Sequence, residues 1–261
     1  MNEIPIARRD VITARLDQGL PVVAAELAVE FGVSEDAIRR DLRALAAEGR
    51  CRRVYGGALP VSPASTPMAV RVDEAHERKN ALARIGASLV QPGQLVFLDS
   101  GSSNLAVVQF LPAESRITVA TNSLLIAAEV MKRHDLALLM VGGMVDPHVG
   151  GCIDAAAVAM VSAMNFDHCF IGACAVAATT GVCAFHMADA MFKKSLLASS
   201  QHLAVLATSE KLETRAPYRV AAIGEIDHII VEFDAPDDKV RLLAEADTTI
   251  LRGAAPFQTN H

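Results

Sequence analysis

Short apolar runs alternate with helix-length stretches from residue 95 onward, and this alternation constrains the fold more than any other feature of the chain. The runs are Leu95–Asp99, Ile117–Thr121, Leu136–Val141, Cys169–Ile171, Leu203–Thr208 and His228–Glu232. Each is strand length, and several are followed by Gly, Ser or Asn and then a helical pattern. Strands buried on both faces read as continuous apolar runs, so the order predicts a mostly parallel sheet with helices on both sides. A helix from about Asp73 to Val90 precedes the first strand, and Pro92-Gly93 turns the chain into it.

The first sixty residues follow a different period. Val11, Ile12 and Leu16 fall at helical spacing over Ile6–Asp17, and Gly19 ends that helix. Pro21 is expected to open a second helix carrying Val23, Ala24, Leu27, Ala28 and Phe31, which Gly32 closes. Ser34 is a good N-cap for a third helix, with Glu35 and Asp36 in its first turn. Ile38, Leu42 and Leu45 form its buried stripe, which sets Arg40 and Arg43 on the opposite face with Asp36 and Ala47. Arg50 to Tyr55, then Gly56-Gly57 and Ala58-Leu59, read as a short β-ribbon around a glycine turn. Residues 61–72 hold two prolines and small polar residues and read as a linker. The expected organisation is a winged helix-turn-helix over 1–60, a linker over 61–72 and an α/β domain over 73–261.

Charge distribution matters more than its sum. The chain carries a net charge of −6, but residues 1–60 balance nine Arg against nine Asp and Glu. Arg39, Arg40, Arg43, Arg50, Arg52 and Arg53 cluster late in that segment, and a local basic patch neutralises phosphates whatever the rest of the chain carries. The second helix of a helix-turn-helix enters the major groove, where Arg bonds guanine edges or phosphates. The chain has no Trp and two Tyr, which argues against an aromatic platform for single strands. Five cysteines without a C-x-x-C pair, behind a charged N-terminus, read as reduced thiols of a cytoplasmic protein. No apolar run suits a membrane span. The scattered histidines show no zinc-ligand spacing, so neither metal nor cofactor is expected.

The stretch Val33-Ser34-Glu35-Asp36-Ala37-Ile38-Arg39-Arg40-Asp41-Leu42, with Gly49 and Arg53-Val54-Tyr55-Gly56-Gly57-Ala58, resembles the signature of the DeoR (deoxyribose-operon-repressor) family of bacterial transcription regulators. Ala37 stands where that family usually has Thr, and Tyr55 where it usually has His. The resemblance implies that Ser34, Arg39, Arg40, Arg43, Arg52 and Arg53 contact operator DNA. Asp41 reads instead as a structural partner for a nearby Arg.

The resemblance continues through Leu95–Asn104, Thr118–Ser123, Met140–Gly143 and Asp167–Gly172. It implies a sensing domain similar to ribose-5-phosphate isomerase, glucosamine-6-phosphate deaminase and CoA transferases, with a phosphorylated sugar or related metabolite as effector. The residues fit such a ligand. Ser100, Gly101, Ser102 and Ser103 lie between a strand and a helix, while Thr121-Asn122 and Gly142-Gly143 follow two other strands. Ligands collect at the carboxyl ends of parallel strands. Lys79, Lys193 and Lys211 are the expected cationic partners, the first two matching family lysines, and Asp99 is suited to a sugar hydroxyl. Thr208 replaces a carboxylate common in the family.

The leading expectation is a repressor of a carbohydrate operon, binding double-stranded DNA as a homodimer or homotetramer. The competing readings are a sugar-phosphate isomerase or deaminase using Asp99 or Asp189 as base, and an interaction adaptor that binds no DNA. No assembled set of catalytic residues is expected.

Overall fold

The computed structural model describes residues 5–17, 21–60, 68–72 and 74–254, and divides the chain into two units, Met1–Ser65 and Thr66–His261. The first unit begins with helix α1 (Pro5–Asp17). Strand β1 (Val22–Val23) and helix α2 (Ala24–Phe31) follow. Pro21 therefore does not open a helix. The β-branched Val22 and Val23 are extended and pair with Ala58 and Gly57, so the helix starts at Ala24. Gly32 ends α2 in a left-handed conformation at φ 62°. Ser34 then caps α3 (Glu35–Ala47), its side chain accepting from the Ala37 N–H at 3.3 Å. Strands β2 (Cys51–Val54) and β3 (Gly57–Pro60) make the antiparallel ribbon around Tyr55-Gly56. Ile12, Leu16, Leu27, Ile38, Leu42, Leu45 and Ala58 form the core of this unit.

Residues 61–67 of the expected linker lie outside the described residues, and its later part contains a one-turn helix, α4 (Met68–Arg71), with Met68 buried. Helix α5 spans His76–Ser88 and does not begin at Asp73. Ala75 before it sits in left-handed backbone at φ 52°, which no right-handed helix continues. The chain then runs through β4 (Leu95–Leu98), α6 (Ser102–Val107), β5 (Thr118–Thr121), α7 (Leu124–Val130) and β6 (Ala137–Met140). A small hairpin, β7 (Val145–Asp146) with β8 (Gly151–Cys152), precedes α8 (Ala155–Ser162) and β9 (Phe166–Ile171). Strands β10 (Ala175–Ala177) and β11 (Gly181–Ala184) lead to α9 (Met187–Ala198) and β12 (Ser200–Ala207). The described chain closes with β13 (Tyr218–Ala221), β14 (His228–Val231), α10 (Asp237–Ala244) and β15 (Thr249–Arg252).

Seven strands form one sheet in the order β15-β14-β12-β9-β4-β5-β6, with every pairing parallel. Alternation along the strands divides the core between its faces. Val96, Leu98, Phe170, Leu206 and Ile230 pack with Leu82 and Ala83 of α5, Val107 of α6 and Ile126 of α7. Phe97, Cys169, Ile171, Val205 and Ile229 pack on the other side with Val161 of α8 and Phe192 and Leu196 of α9. Among the described residues of this unit, β15 at the sheet edge, the β7–β8 hairpin and a separate antiparallel sheet of β10, β11 and β13 fall outside the sequence expectation.

From β4 the chain moves outward to β5 and β6, then returns to the other side of β4 with β9. The β4–β9 boundary is thus the switch point of the sheet, where an open parallel sheet forms a crevice at its carboxyl end.

Candidate DNA-reading face and effector site

In the first unit, burial of Ile38, Leu42 and Leu45 turns the opposite side of α3 to solvent. Arg40 and Arg43 are exposed there, each donating through Nε to the carbonyl one turn earlier, Asp36 O at 3.4 Å and Arg39 O at 3.3 Å. Arg39 is tied back along its own helix to Glu35 at 2.7 Å and Asp36 at 3.5 Å. Arg53 is exposed on the ribbon, and Tyr55 projects fully from its tip. Arg52 lies on β2, with its side chain outside the described residues.

Asp41 points inward. It is buried and accepts from Arg8 Nε at 2.7 Å and Arg9 Nε at 3.1 Å, tying α1 to α3. Sequence reading expected an arginine partner for Asp41 without locating it. The signal was an Arg-Arg pair in the first helix, facing an acid that helical spacing leaves on the flank of the core.

In the second unit, Asp99 to Asn104 lie at the switch point. The Asp99 N–H donates to Phe170 O at 3.1 Å, and Asn104 Nδ2 donates to both Asp99 O at 2.9 Å and Phe170 O at 2.8 Å. The Gly172 N–H donates to Asp99 Oδ2 at 2.8 Å. A Cβ at Gly172 would lie 2.6 Å from Ser100 O, so only glycine permits this approach. Lys193 Nζ stands 3.0 Å from the same Asp99 oxygen and also bonds Asp189. All three charged groups are buried. Burial lifts the Asp99 carboxyl above its ordinary range, against the pull of Lys193. Burial also works against the Lys193 ammonium, but Asp189 and Asp99 outweigh it and hold the amine above its usual value. One ammonium between two carboxylates is a satisfied group with no surplus positive charge to offer an anion.

The other expected residues separate into groups. Thr121 and Asn122 are committed to the scaffold. Thr121 Oγ1 donates to Leu98 O at 2.6 Å, and Asn122 accepts from the Ser100 N–H at 3.0 Å while donating to Cys152 O at 3.1 Å. Ser100 Oγ donates to Val149 O, fastening the 146–150 loop. Ser103 Oγ and Asp99 Oδ1 are buried and have no hydrogen-bond partner among the described residues. Gly142 and Gly143 are exposed beyond β6, with β5 between that strand and β4, and the adjoining Met144 N–H is held by Asp154 at 2.9 Å. Ser102 is buried in the first turn of α6, next to Gly101.

Lys79 and Lys211 belong to a second cluster, with Arg71. Lys79 Nζ donates to Glu74 O at 2.6 Å and to Arg71 O. Burial and the charges of Arg71 and Lys79 push the Lys211 amine down to about 8. Arg71 and Asp189 were outside the expected set of effector residues. Asp189 carried a legible signal, standing one helical turn before Lys193. Arg71 carried none, because it falls in a stretch that reads as linker.

Among the described residues no group of three His, Cys, Asp or Glu side chains could hold a metal ion, and no helix is long and apolar enough to cross a membrane.

Comparisons with known proteins bear on both units. Residues 8–64 match the model of the DeoR-like helix-turn-helix domain, and residues 74–232 that of the DeoR C-terminal sensor domain. An uncharacterized HTH-type transcriptional regulator, YgbI, of Escherichia coli is 28% identical over 95% of this chain and 98% of its own length. The glycerol-3-phosphate regulon repressor of the same organism is 27% identical over 86% of this chain and 89% of its own. Among solved structures, a ribose 5-phosphate isomerase from Methanocaldococcus jannaschii covers 52% of this chain and 53% of its own at 17% identity and a TM-score of 0.37. With a winged helix-turn-helix ahead of a parallel-sheet sensor, and a family match running through both units, this chain belongs to the DeoR family of DNA-binding transcriptional regulators.

Proposed function

We propose that the chain is a repressor of a carbohydrate-metabolism operon, released from or recruited to its operator by a small phosphorylated metabolite. The observation that carries the DNA half is the exposed Arg40 and Arg43 pair on the face of α3 opposite its buried stripe. In this reading α3 lies in the major groove, with Ser34 at its start and Arg39 beside the two readers. Arg52 and Arg53 of the ribbon bind adjacent phosphates. Operator symmetry is matched by a homodimer or homotetramer. The protein acts in the cytoplasm, as a DNA-binding regulator must.

The effector half rests on the switch-point crevice. Asp99, Ser100, Gly101, Ser102 and Ser103 line it, with Thr121-Asn122 and Gly142-Gly143 on the flanking strand ends. The buried, partnerless Asp99 Oδ1 and Ser103 Oγ suit the hydroxyls of a polyol chain. Lys79 and Lys211 supply positive charge, while Lys193 orients Asp99. Relatives named for repression of a glycerol-3-phosphate regulon and of an aga operon favour a phosphorylated sugar or polyol. An enzyme is disfavoured because Asp99 and Asp189, the candidate bases, are both engaged by Lys193.

Fluorescence anisotropy with DNA from upstream of the gene tests the proposal, at two salt concentrations and with a panel of sugar and polyol phosphates. Specific binding should weaken with salt and shift with one compound. Replacing Arg40 and Arg43 with Ala should lower specific affinity by about ten-fold or more, without changing thermal stability. Unchanged affinity in the double variant would remove α3 as the reading helix. Indifference to every compound would remove the phosphorylated effector.

A further inference from the structure

The seven-stranded sheet has two edges, and they are finished differently. At one, Arg252 of β15 donates to Phe233 O at 2.9 Å and Ala235 O at 3.0 Å and pairs with Asp237. The neighbouring α10 adds Asp238, Lys239 and Arg241. Charge of this kind keeps a strand edge from pairing with another chain. At the other edge β6 reads Ala137-Leu138-Leu139-Met140, with no charge, proline or bulge, and Ala137 is exposed and the rest half-buried. The Ala137 N–H donates to Ile117 O at 3.1 Å and the Val141 N–H to Thr121 O at 2.8 Å, so alternate residues from 137 face β5. Leu138 and Met140 therefore turn both N–H and C=O outward, and among the described residues no strand pairs with that side.

Helix α7 repeats the pattern beside this strand. Its sequence, Leu-Leu-Ile-Ala-Ala-Glu-Val, holds one charged residue, Glu129, which Lys132 pairs at 2.6 Å. Ile126, Ala127 and Val130 are buried against the sheet. Leu124, Ala128 and Met131 share another side of the helix and are exposed, Leu124 by 53% and Met131 by 70%. Parallel crossovers are right-handed, and in a right-handed β5–α7–β6 unit this stripe looks out past β6. A helix that is apolar all round is normally a buried one, and this side of α7 is open.

The charges at this edge decide what covers it. Arg133 and Asp135, between α7 and β6, are paired with each other, as Glu129 and Lys132 are. Two acids and two bases cancel, so the face is neutral although the chain carries −6. It has no surplus base for a nucleic acid. A partner must offer an unpaired strand edge beside an apolar, uncharged helix side. A second copy of this chain offers both, and meets the face without the repulsion its acidic remainder would bring.

We propose that two copies of this chain join through β6 and α7, with the two β6 strands antiparallel about a two-fold axis through Leu139. Leu138 then exchanges both backbone hydrogen bonds with the partner's Met140, and Met140 with the partner's Leu138. The axis stands perpendicular to the sheet, so both α7 helices lie on one face of it. Leu124 meets the partner's Met131 across the small Ala128, which lets the helices approach. The two sheets run on as one, and the unguarded edge is removed. This gives a surface to the homo-oligomer of the proposed repressor, and rests on that reading for the expectation of two-fold symmetry alone.

Sedimentation equilibrium of the full chain tests the surface. Wild type should be a dimer or a multiple of one. Met140→Pro removes an outward N–H and spares the ladder to β5, and Ala128→Arg puts a charge into the stripe at an exposed position that suits arginine. Each should halve the assembly's mass at low concentration and raise the dissociation constant of the pair by about ten-fold or more, with an unchanged far-ultraviolet spectrum. Leu242→Arg, exposed on α10 at the opposite edge, should leave the mass as it is. Leu139→Cys should give a disulfide-linked dimer on mild oxidation, which wild type should not, because opposed Cα atoms there stand about 4.5 Å apart. Should Met140→Pro fail to fold, Ala128→Arg and Leu139→Cys carry the test. A wild type monomeric at every concentration, or an assembly whose mass neither substitution changes, would overturn the proposal. Operator binding read on the same samples separates this from the regulator: a monomer that binds operator specifically leaves the regulator standing without the interface. An assembly lost in both variants, in a chain that binds no DNA specifically, would support the interface and remove the regulator.

Discussion

Asp41 and its neighbours in α3 show how adjacent residues of one motif divide their work. Arg40 turns its guanidinium outward, whereas Asp41 is buried and bonded to Arg8 and Arg9 of α1. Removing one member of a buried pair leaves the other as an uncompensated charge, which costs more than the pair itself contributes. Asp41→Ala strands the buried Arg8 guanidinium and should destabilise the first unit by about 3 kcal/mol. Arg40→Ala, on the exposed face, should change stability by less than about 0.5 kcal/mol. Urea unfolding of the two variants checks this. Equal midpoints would mean that the Arg8–Asp41 contact does not hold α1 to α3. Lys193 repeats the pattern in the second unit, since its neighbours Asp99 and Asp189 account for its charge before any ligand is considered.

The ribbon and its short partner strand show what an element adds beyond its residues. Gly57 stands where β3 crosses β1, and a Cβ there would lie 2.0 Å from Val22 O. Backbone cannot swing aside as a side-chain tip can, so Gly57→Ala must break the β1–β3 pairing. The variant should lose about 1–3 kcal/mol of stability. It should also weaken operator binding by moving Arg53 and the Tyr55 tip, read by anisotropy at a temperature where it is still folded. Retained affinity would show that the ribbon does not contribute to the operator contact. The helix-turn-helix was legible because caps and periodicity are local: Ser34, Gly32 and the Ile38–Leu42–Leu45 stripe all act within one or two turns. Strand β1 was not, because Pro21-Val22-Val23 reads equally well as a helix start, and only pairing with β3, far along the chain, decides it. The same holds at the candidate effector site. The glycine and serine loop after β4 was visible as a loop. The commitment of Thr121 and Asn122 to backbone partners, and the convergence of Arg71 with Lys79 and Lys211, depend on tertiary approach.

On the scale of the whole sensing sheet, the two ends carry opposite chemistry. The carboxyl end forms the switch-point crevice, and the amino-terminal half gathers histidines: His168 is the third residue of β9, His202 lies opposite it on β12, and His228 begins β14. The rings of His168 and His202 are 5.0 Å apart, and the Nδ1 atoms of His168 and His228 are buried without a hydrogen-bond partner among the described residues. Burial, and then the neighbouring His202 and His228, lower the pKa of His168, while Asp167 and Asp227 raise it only in part. The unfolded chain then binds this proton more tightly than the folded one. Stability is therefore complete above the unfolded value of about 6.5 and is lost as pH falls through it toward the lower folded value. The melting temperature should drop between about pH 7 and pH 5 more steeply in the wild type than in His168→Gln, which keeps a polar side chain but cannot titrate. Below that window the two curves should run parallel, since the remaining carboxylates are common to both. Curves that stay parallel from pH 7 downward would show that the histidine row accepts protons without cost, and that some other group sets the acid limit of the fold.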